Sequence, residues 1–197
     1  MICIAGKLPI LQVGRHQVCG YKTSWILEGL ETAANKAGMT EFPFLEDLYI
    51  AIKQYLEVEC SLEVLPIEQL NERIVKMLEK IGLTKLTEEL PMLAPPIVLS
   101  LEWIAKKSGP GFELGFFTSL KEEIYSARKA GVTKLILEEL KPAVSIVRGN
   151  KKWDKKCVTL MEEIVGFISE SGMETPQAYS EQRLIVPMPR RDIFTDI

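Results

Sequence analysis

Residues 66–82 read PIEQLNERIVKMLEKIG, and this stretch gives the clearest indication of the fold. Its apolar residues recur every three or four positions, which places them on one face of an α-helix. They are Ile67, Leu70, Ile74, Met77, Leu78 and Ile81. Pro66 suits the first helical turn because its missing N–H would have no partner there, and Gly82 is a natural stop. The pattern predicts a helix that begins at Pro66 and buries one face in a core.

Residues 1–22, upstream of this helix, carry the signs of a β-hairpin. Apolar residues recur there at short spacing, and glycines and a proline interrupt them. Such spacing is typical of short strands joined by a tight turn. The simplest arrangement is a hairpin that turns near Gly14-Arg15-His16.

Three further helical patterns surround the quoted stretch. The first follows the hairpin and has Thr23 or Ser24 available as its N-cap. A second is predicted over residues 45–56, and a short fourth helix over residues 84–90. Together with the hairpin, these helices predict an N-terminal domain over residues 1–92.

The segment Leu90–Pro96, LPMLAPP, is the predicted domain boundary because its prolines cannot continue a helix. Beyond it, alternating apolar residues predict a strand over residues 97–103. Ser119 and Glu122 form a capping box, which predicts a helix from Ser119 to about Ala130.

Residues 132–148 leave two alternatives open. Residues 135–137 and 143–147 have the composition of short strands, but the apolar positions also fit a helix bent at Pro142. We favour the helix.

The rest of the chain completes a second, mostly helical portion over residues 93–171, with one or two strands. Its last helix places five residues on one face, so that Trp153 is expected in the core: Trp153, Cys157, Leu160, Ile164 and Phe167. Residues 172–197 are predicted to form a C-terminal tail, which would dock through Leu184-Ile185-Val186. The fold class that follows is α+β and mostly helical.

Composition limits the function classes. The 197 residues carry 24 Lys+Arg against 27 Asp+Glu, a net charge of −3, and 47% of them are hydrophobic. This hydrophobic fraction is typical of a soluble protein with a core and excludes disorder over most of the chain. The near-neutral charge argues against a protein that coats nucleic acid. A single histidine argues against histidine-rich metal sites.

The cysteines and the apolar runs indicate the compartment. The cysteines are scattered without a CxxC motif, which favours reduced thiols over a disulfide framework or a zinc site. They are Cys3, Cys19, Cys60 and Cys157. A Cys3–Cys19 bond across the hairpin is the less favoured alternative. The N-terminus lacks the features of a signal peptide, and no apolar run approaches the roughly 20 residues that span a bilayer. We expect a cytoplasmic protein without a metal site or membrane contact.

The order hairpin, helix, helix, helix, short helix over residues 10–90 resembles the ATP-cone, a family of small nucleotide-sensing modules on ribonucleotide reductases and some transcription regulators. The stretch YKTSWILEGLETAANKAG (residues 21–38) begins with an aromatic residue, Tyr21. Five residues later, Ile26 opens an alanine-rich helix. PIEQLNERIVKMLEKIG is similar to the family's third helix. The resemblance, which covers under half of the chain, implies a non-catalytic regulatory module that takes ATP or dATP as a ligand and needs no cofactor.

The phosphate-contacting part departs from the family's pattern. ATP-cones typically begin with Val-x-Lys-Arg-Asp-Gly on the hairpin, whereas the aligned residues 12–16 read QVGRH and contain no lysine. Trp25 stands where the family often has another lysine. Arg15, His16 and Lys22 remain as candidate nucleotide-binding residues. Two alternatives stay open: nucleotide binding in the family's mode, or a cone-like fold kept as a protein-interaction scaffold, which exposed apolar surface around Trp25 would favour.

A basic run lies in the other half of the chain. Residues 1–99 carry 9 basic and 13 acidic residues, a net charge of 9 − 13 = −4, whereas residues 141–156 are strongly basic. The run contains Lys141, Arg148, Lys151, Lys152, Lys155 and Lys156, with Trp153 and Asp154 among them. We favour the solvated start of a helix with Trp153 turned inward. An anion or nucleic-acid site is the alternative.

Catalysis has little support in the sequence. His16 has no recognisable nucleophile or carboxylate partner, and its place near a turn predicts a surface position. Adjacent glutamates occur at 88–89, 122–123, 138–139 and 162–163. Neighbours on a helix point about 100° apart, so we expect these on solvent faces rather than as acid–base pairs. We expect a non-catalytic regulator that acts through a homo-oligomer or a protein partner.

Overall fold

The computed structural model describes residues 8–39, 42–149, 152–170, 178–180 and 183–188. The chain is a mostly helical α+β protein, as predicted. It divides into two compact units, unit 1 (residues 1–95) and unit 2 (residues 96–197). In the part of the chain that the structure describes, no helix combines the length and apolarity needed to cross a membrane.

Unit 1 opens with the predicted hairpin and continues as helices. Its elements are β1 (Ile10–Val13), β2 (His16–Val18), α1 (Ser24–Lys36), α2 (Leu45–Gln54), a π-helical turn (Tyr55–Glu59), β3 (Val64–Pro66), α3 (Ile67–Lys80) and α4 (Thr84–Glu89). β3 was not predicted, and it pairs in parallel with β1 to give the sheet order β2-β1-β3. With one buried residue, Leu65, between two exposed ones, β3 is too short to show a period. Pro66 therefore ends a strand, and the helix begins one residue later than predicted.

The helices of unit 1 bury the predicted faces, and Thr23 occupies the N-cap position of α1, as predicted. Ile26 and Leu30 of α1 and Leu70 and Ile74 of α3 are buried. Thr23 makes no side-chain capping bond to α1. Its hydroxyl lies 2.8 Å from the Tyr49 hydroxyl instead, so it joins α1 to α2.

Unit 2 builds its helices around one sheet. Its elements are β4 (Ile97–Ser100), α5 (Leu101–Ser108), α6 (Glu113–Lys129), β5 (Lys134–Glu138), α7 (Leu140–Arg148), α8 (Lys155–Glu170), β6 (Ala178–Ser180) and β7 (Arg183–Pro187). The strand order is β4-β5-β7-β6, in which β4 and β5 are parallel and the other pairs are antiparallel. Two of its four strands, β4 and β5, come from residues 93–171, where one or two strands were expected. The additional strands come from the predicted tail, where Leu184 and Val186 are buried.

The predicted strand over residues 97–103 is too long. β4 ends at Ser100, whose side-chain oxygen accepts a hydrogen bond from the Trp103 main-chain N–H at 3.0 Å and caps α5. Leu101 and Ile104 are buried three positions apart on α5, and Trp103 is exposed. The apparent alternation therefore joined the end of a strand to the first turn of a helix.

The predicted capping box at Ser119 is also wrong. α6 begins at Glu113, six residues earlier, so Ser119 lies inside the helix. Phe116, Leu120 and Ile124 are buried at a spacing of four residues. The helical period therefore extends upstream of the local capping signal and determines where α6 begins.

Both alternatives for residues 132–148 are half right. Residues 134–138 form β5, and residues 140–148 form α7, so the single bent helix is wrong. Glu139 lies between them, and its backbone adopts the left-handed conformation, with φ of 64°. This conformation is uncommon for a residue other than glycine, and it allows the chain to turn from strand to helix without a loop.

Candidate functional site

The hairpin of unit 1 presents Arg15 at its tip. Gly14 and Arg15 form the turn between β1 and β2, and Gly14 takes a φ of 57°, which suits glycine because it has no Cβ. Arg15 is exposed. The first of the three candidate cations is therefore accessible to a ligand.

His16 is not the surface residue that we expected. In the register of the hairpin, His16 faces Val13 and Val18 faces Leu11, so these four side chains share one face of the sheet. Leu11 and Val13 are fully buried, and His16 is half-buried. His16 therefore points to the core side of the hairpin, whereas Arg15 is at its outer tip.

Trp25, in the first turn of α1, is 6% exposed, so the exposed apolar surface that would favour an interaction scaffold is not found at this residue. Its ring centroid lies 6.5 Å from that of Tyr21. Its buried indole N–H has no hydrogen-bond partner among the described residues. Lys22, between the two rings in sequence, is exposed. A buried donor and an exposed cation are thus three residues apart.

The Tyr21 hydroxyl lies among polar neighbours that the sequence did not indicate. The Tyr21 hydroxyl donates a hydrogen bond to the Pro9 carbonyl at 3.0 Å. Burial raises the pKa of this hydroxyl, and the neighbouring Cys60 raises it further. Burial and Cys60 likewise raise the pKa of Tyr55, with Arg73 acting in the opposite direction. Tyr21 and Tyr55 therefore both interact with Cys60, and Arg73 interacts with Tyr55.

Arg73 is the cation that the sequence analysis missed. Its guanidinium carbon lies 5.2 Å from the centroid of the Tyr55 ring, a cation–π arrangement. The two residues are 18 positions apart: Arg73 lies on α3, and Tyr55 begins the π-helical turn, in which the Cys60 main-chain N–H donates to the Tyr55 carbonyl five residues back at 2.8 Å. Such turns often occur at functional sites. The sequence offered no signal for this contact.

In unit 2, the structure separates Arg148 from the rest of the predicted basic run. Its guanidinium donates to the Glu113 carboxylate at 2.9 Å. The hydrogen bond from the Cys157 main-chain N–H lowers the pKa of Asp154, and Arg148 lowers it further. Arg148 is therefore engaged with acidic side chains.

Trp153 lies outside the core, contrary to our expectation. Asp154 accepts the Cys157 main-chain N–H at 2.9 Å and caps α8, so the helix begins at Lys155, after Trp153. Trp153 is 41% exposed, and Lys141 Nζ lies 5.5 Å from its ring centroid.

Three further lysines of the run are exposed. They are Lys152, Lys155 and Lys156. Lys151 lies outside the described residues.

Other reactive groups do not form a recognised constellation. Glu123 is buried on α6, Glu138 is the last residue of β5 and Glu139 follows it, so these residues differ from the expected solvent-facing helical glutamates. The Ser100 hydroxyl donates a hydrogen bond to the Glu139 carboxylate. Among the described residues, no group of three His, Cys, Asp or Glu side chains is placed to hold a metal ion.

The cysteines differ in state. Cys60 and Cys157 are free, whereas Cys19 is disulfide-bonded, so the expectation of reduced thiols fails at that position. Cys3 lies outside the described residues.

Comparison with known proteins gives no assignment: no protein-family description, no curated protein and no solved structure matches the chain.

Proposed function

We propose that unit 1 is a regulatory module that binds ATP or dATP without transforming it. The observation that carries this proposal is the buried indole N–H of Trp25, which has no acceptor among the described residues. Leaving a buried donor unsatisfied costs about 1–3 kcal/mol, and a phosphate oxygen or base nitrogen of a ligand would remove this cost. Trp25 also occupies the position where the family that the sequence resembles often has a lysine.

Cations and aromatic rings in the same unit support an anionic, aromatic ligand. Arg15 and Lys22 are exposed near Trp25 in sequence, and Arg73 lies over the ring of Tyr55. A guanidinium can hold a phosphate through two hydrogen bonds while its plane stacks on an aromatic ring. Arg73 thus offers a cation in unit 1, where the hairpin lacks the family's lysine.

Thermal unfolding of the full chain with ATP, dATP or tripolyphosphate tests the proposal. A ligand at ten times its dissociation constant stabilises the bound state by about 1.4 kcal/mol, which raises the melting temperature of a domain of this size by several degrees. We expect this rise with ATP or dATP, and a smaller one in Arg73→Gln and Lys22→Gln. Lys85→Gln, which removes an exposed lysine of α4, is the control.

Tripolyphosphate separates nucleotide recognition from general anion binding. An equal rise with tripolyphosphate would show that the base is not recognised. The absence of any rise at millimolar nucleotide would reject the sensing function.

A second candidate function, protein interaction, is favoured by exposed apolar residues on α2 and directly before and after it. Phe44, Ile50 and Val58 are each more than half exposed. Residues 44–59 contain one lysine and four acidic residues, a net charge of 1 − 4 = −3. Exposed apolar residues in an acidic segment suit a basic amphipathic helix of a partner protein.

A designed amphipathic peptide tests this second function. We expect the full chain to bind a Lys/Leu helix more tightly than a Glu/Leu helix of equal length, and Ile50→Asp/Val58→Asp to abolish the difference. Leu114→Asp, at an exposed leucine of α6, is the control. Equal binding of both peptides would reject the charge argument.

A further inference from the structure

We propose that unit 2 binds single-stranded nucleic acid through one exposed surface. This surface, called the Trp153 surface, consists of Lys141, Lys152, Trp153, Lys155 and Lys156. The inference concerns unit 2 and does not depend on nucleotide binding by unit 1. It rests on the exposure of Trp153, on the position of Lys141 and on the distribution of charge around them.

Trp153 presents an aromatic ring to solvent. Asp154 caps α8 through the Cys157 N–H and thereby keeps Trp153 out of the helix and its buried face. The ring is 41% exposed, with a lysine ammonium 5.5 Å from its centroid. A nucleobase that stacks on this ring would bring its own phosphate close to Lys141.

The segment around Trp153 carries a net positive charge. Among the described residues of 141–156, five are basic and Asp154 alone is acidic, which gives a net charge of 5 − 1 = +4. Glu113 pairs with Arg148, so the one arginine is not counted in the Trp153 surface, which keeps four lysines. Lys152, Lys155 and Lys156 are exposed and form no ion pair with the residues that the structure describes. This positive surface stands out in a chain whose net charge is −3.

The lysines at the start of α8 do not stabilise this helix. Its first turn contains no acidic residue and carries Lys155 and Lys156. Cations at a helix N-terminus oppose the macrodipole and lower helix stability. A bound phosphate would offset this repulsion, which the free protein bears.

The combination favours single strands over other polyanions. A positive groove with an exposed aromatic side chain binds single strands because every base has a face that can stack. In a duplex the bases already stack on one another, so only the lysines would contribute. An anionic membrane would also engage only the lysines and the edge of one ring.

Trp103 provides a matched control within the same unit. It is 55% exposed, and Lys107 Nζ lies 5.2 Å from its ring centroid, so the cation–π geometry is nearly the same. Its surroundings differ, because Glu102 pairs with Lys106 at 2.6 Å and reduces the local positive charge. Trp103→Ala therefore removes an equivalent ring from a less basic surface.

The test is fluorescence anisotropy of the full chain with a labelled oligothymidylate of about 16 nucleotides, at several salt concentrations. We expect Trp153→Ala to weaken binding at least about fivefold, Trp153→Phe to retain most of the affinity, and Trp103→Ala to have no effect. Lys152→Gln/Lys155→Gln/Lys156→Gln should lower the slope of log affinity against log salt by about 2, since each phosphate contact contributes about 0.7. Circular dichroism confirms that each variant is folded.

Two competitors complete the experiment. A duplex of equal length and phosphatidylserine vesicles are expected to bind more weakly than the single strand, without dependence on Trp153. Equal or tighter binding of either competitor would overturn the proposal and leave a general polyanion or membrane surface. Absence of single-strand binding at low salt, or equal effects of Trp153→Ala and Trp103→Ala, would overturn it as well.

Discussion

The side chain of Asn71 satisfies both main-chain polar groups of Leu93. Asn71 Nδ2 donates to the Leu93 carbonyl at 2.8 Å, and Asn71 Oδ1 accepts from the Leu93 N–H at 2.7 Å. The same Nδ2 also donates to the Ile67 carbonyl at 2.8 Å, one turn back on α3. The proline-rich segment 90–96 is therefore fixed to α3 at Leu93 by a buried asparagine.

Asn71→Ala should destabilise unit 1 by about 2–4 kcal/mol, because it leaves the buried N–H and C=O of Leu93 without partners. Urea unfolding measures this change. In a Trp103→Phe/Trp153→Phe background, the remaining tryptophan, Trp25, reports unit 1 alone. Asn35→Ala, at an exposed asparagine of α1, should change the stability by less than about 0.5 kcal/mol. Equal effects of the two substitutions would contradict the role of Asn71.

Gly29→Ala should destabilise unit 1 by about 1–3 kcal/mol, although alanine is the better helix former. A Cβ at Gly29 would lie 2.1 Å from Leu93 Cδ2, and Leu93 is buried. Gly166→Ala is the control: nothing lies within 4 Å of its added Cβ, so about 0.5–1 kcal/mol of stabilisation of unit 2 is expected. Thermal unfolding distinguishes the signs, and stabilisation by Gly29→Ala would refute the close contact.

Tyr21 should make the stability of unit 1 fall at alkaline pH. Its pKa is raised above the ordinary value of 10.0, so above pH 10 the unfolded chain loses the proton before the folded chain does. The free energy of unfolding should then decrease by about 1.4 kcal/mol per pH unit, and the decrease should stop only above the raised pKa. Below pH 10 this group contributes no pH dependence.

Tyr21→Phe checks this alkaline effect. The variant should be less stable below pH 10, because the hydrogen bond to Pro9 is lost, and should show a flatter profile above it. Tyr125→Phe, at an exposed tyrosine, is the control. Identical urea midpoints against pH for wild type and Tyr21→Phe would exclude the effect.

Ser100→Ala should lower the stability of unit 2 by about 1–2 kcal/mol, because Ser100 caps α5 and donates to Glu139. Ser100→Thr keeps the hydroxyl and should recover most of the loss. Ser100→Asp keeps a capping oxygen but places a second carboxylate beside Glu139, so it should not recover the loss. Urea unfolding in a Trp25→Phe/Trp153→Phe background, where Trp103 alone reports, measures all three, and full recovery by Ser100→Asp would show that the contact with Glu139 is unimportant.

The helices of unit 1 were predictable because their buried residues repeat over several turns. Leu70, Ile74 and Leu78 are all buried where the 3.6-residue period requires it. β3 was not predictable because its three residues pair with a strand about 50 positions away, and only Leu65 is buried. The contact of Arg73 with Tyr55 joins two elements 18 positions apart and has no periodic signal, so it could not be foreseen either.

The exposure of Trp153 could have been predicted from a local signal. Asp154 is a strong N-cap residue, and it precedes a run whose buried positions begin at Cys157. Apolar periodicity alone predicted that the helix includes Trp153 and that its ring faces the core. The approach of Lys141 to that ring, in contrast, depends on how α7 and α8 pack.

The central claim, that unit 1 binds an adenine nucleotide next to Trp25, is tested most directly by fluorescence titration of the Trp103→Phe/Trp153→Phe protein with ATP and dATP. We expect a saturable change in Trp25 emission and, by calorimetry, binding at least about tenfold weaker in Trp25→Phe, which keeps an aromatic ring but lacks the indole donor. A flat emission signal up to millimolar nucleotide, together with no heat of binding, would contradict the account.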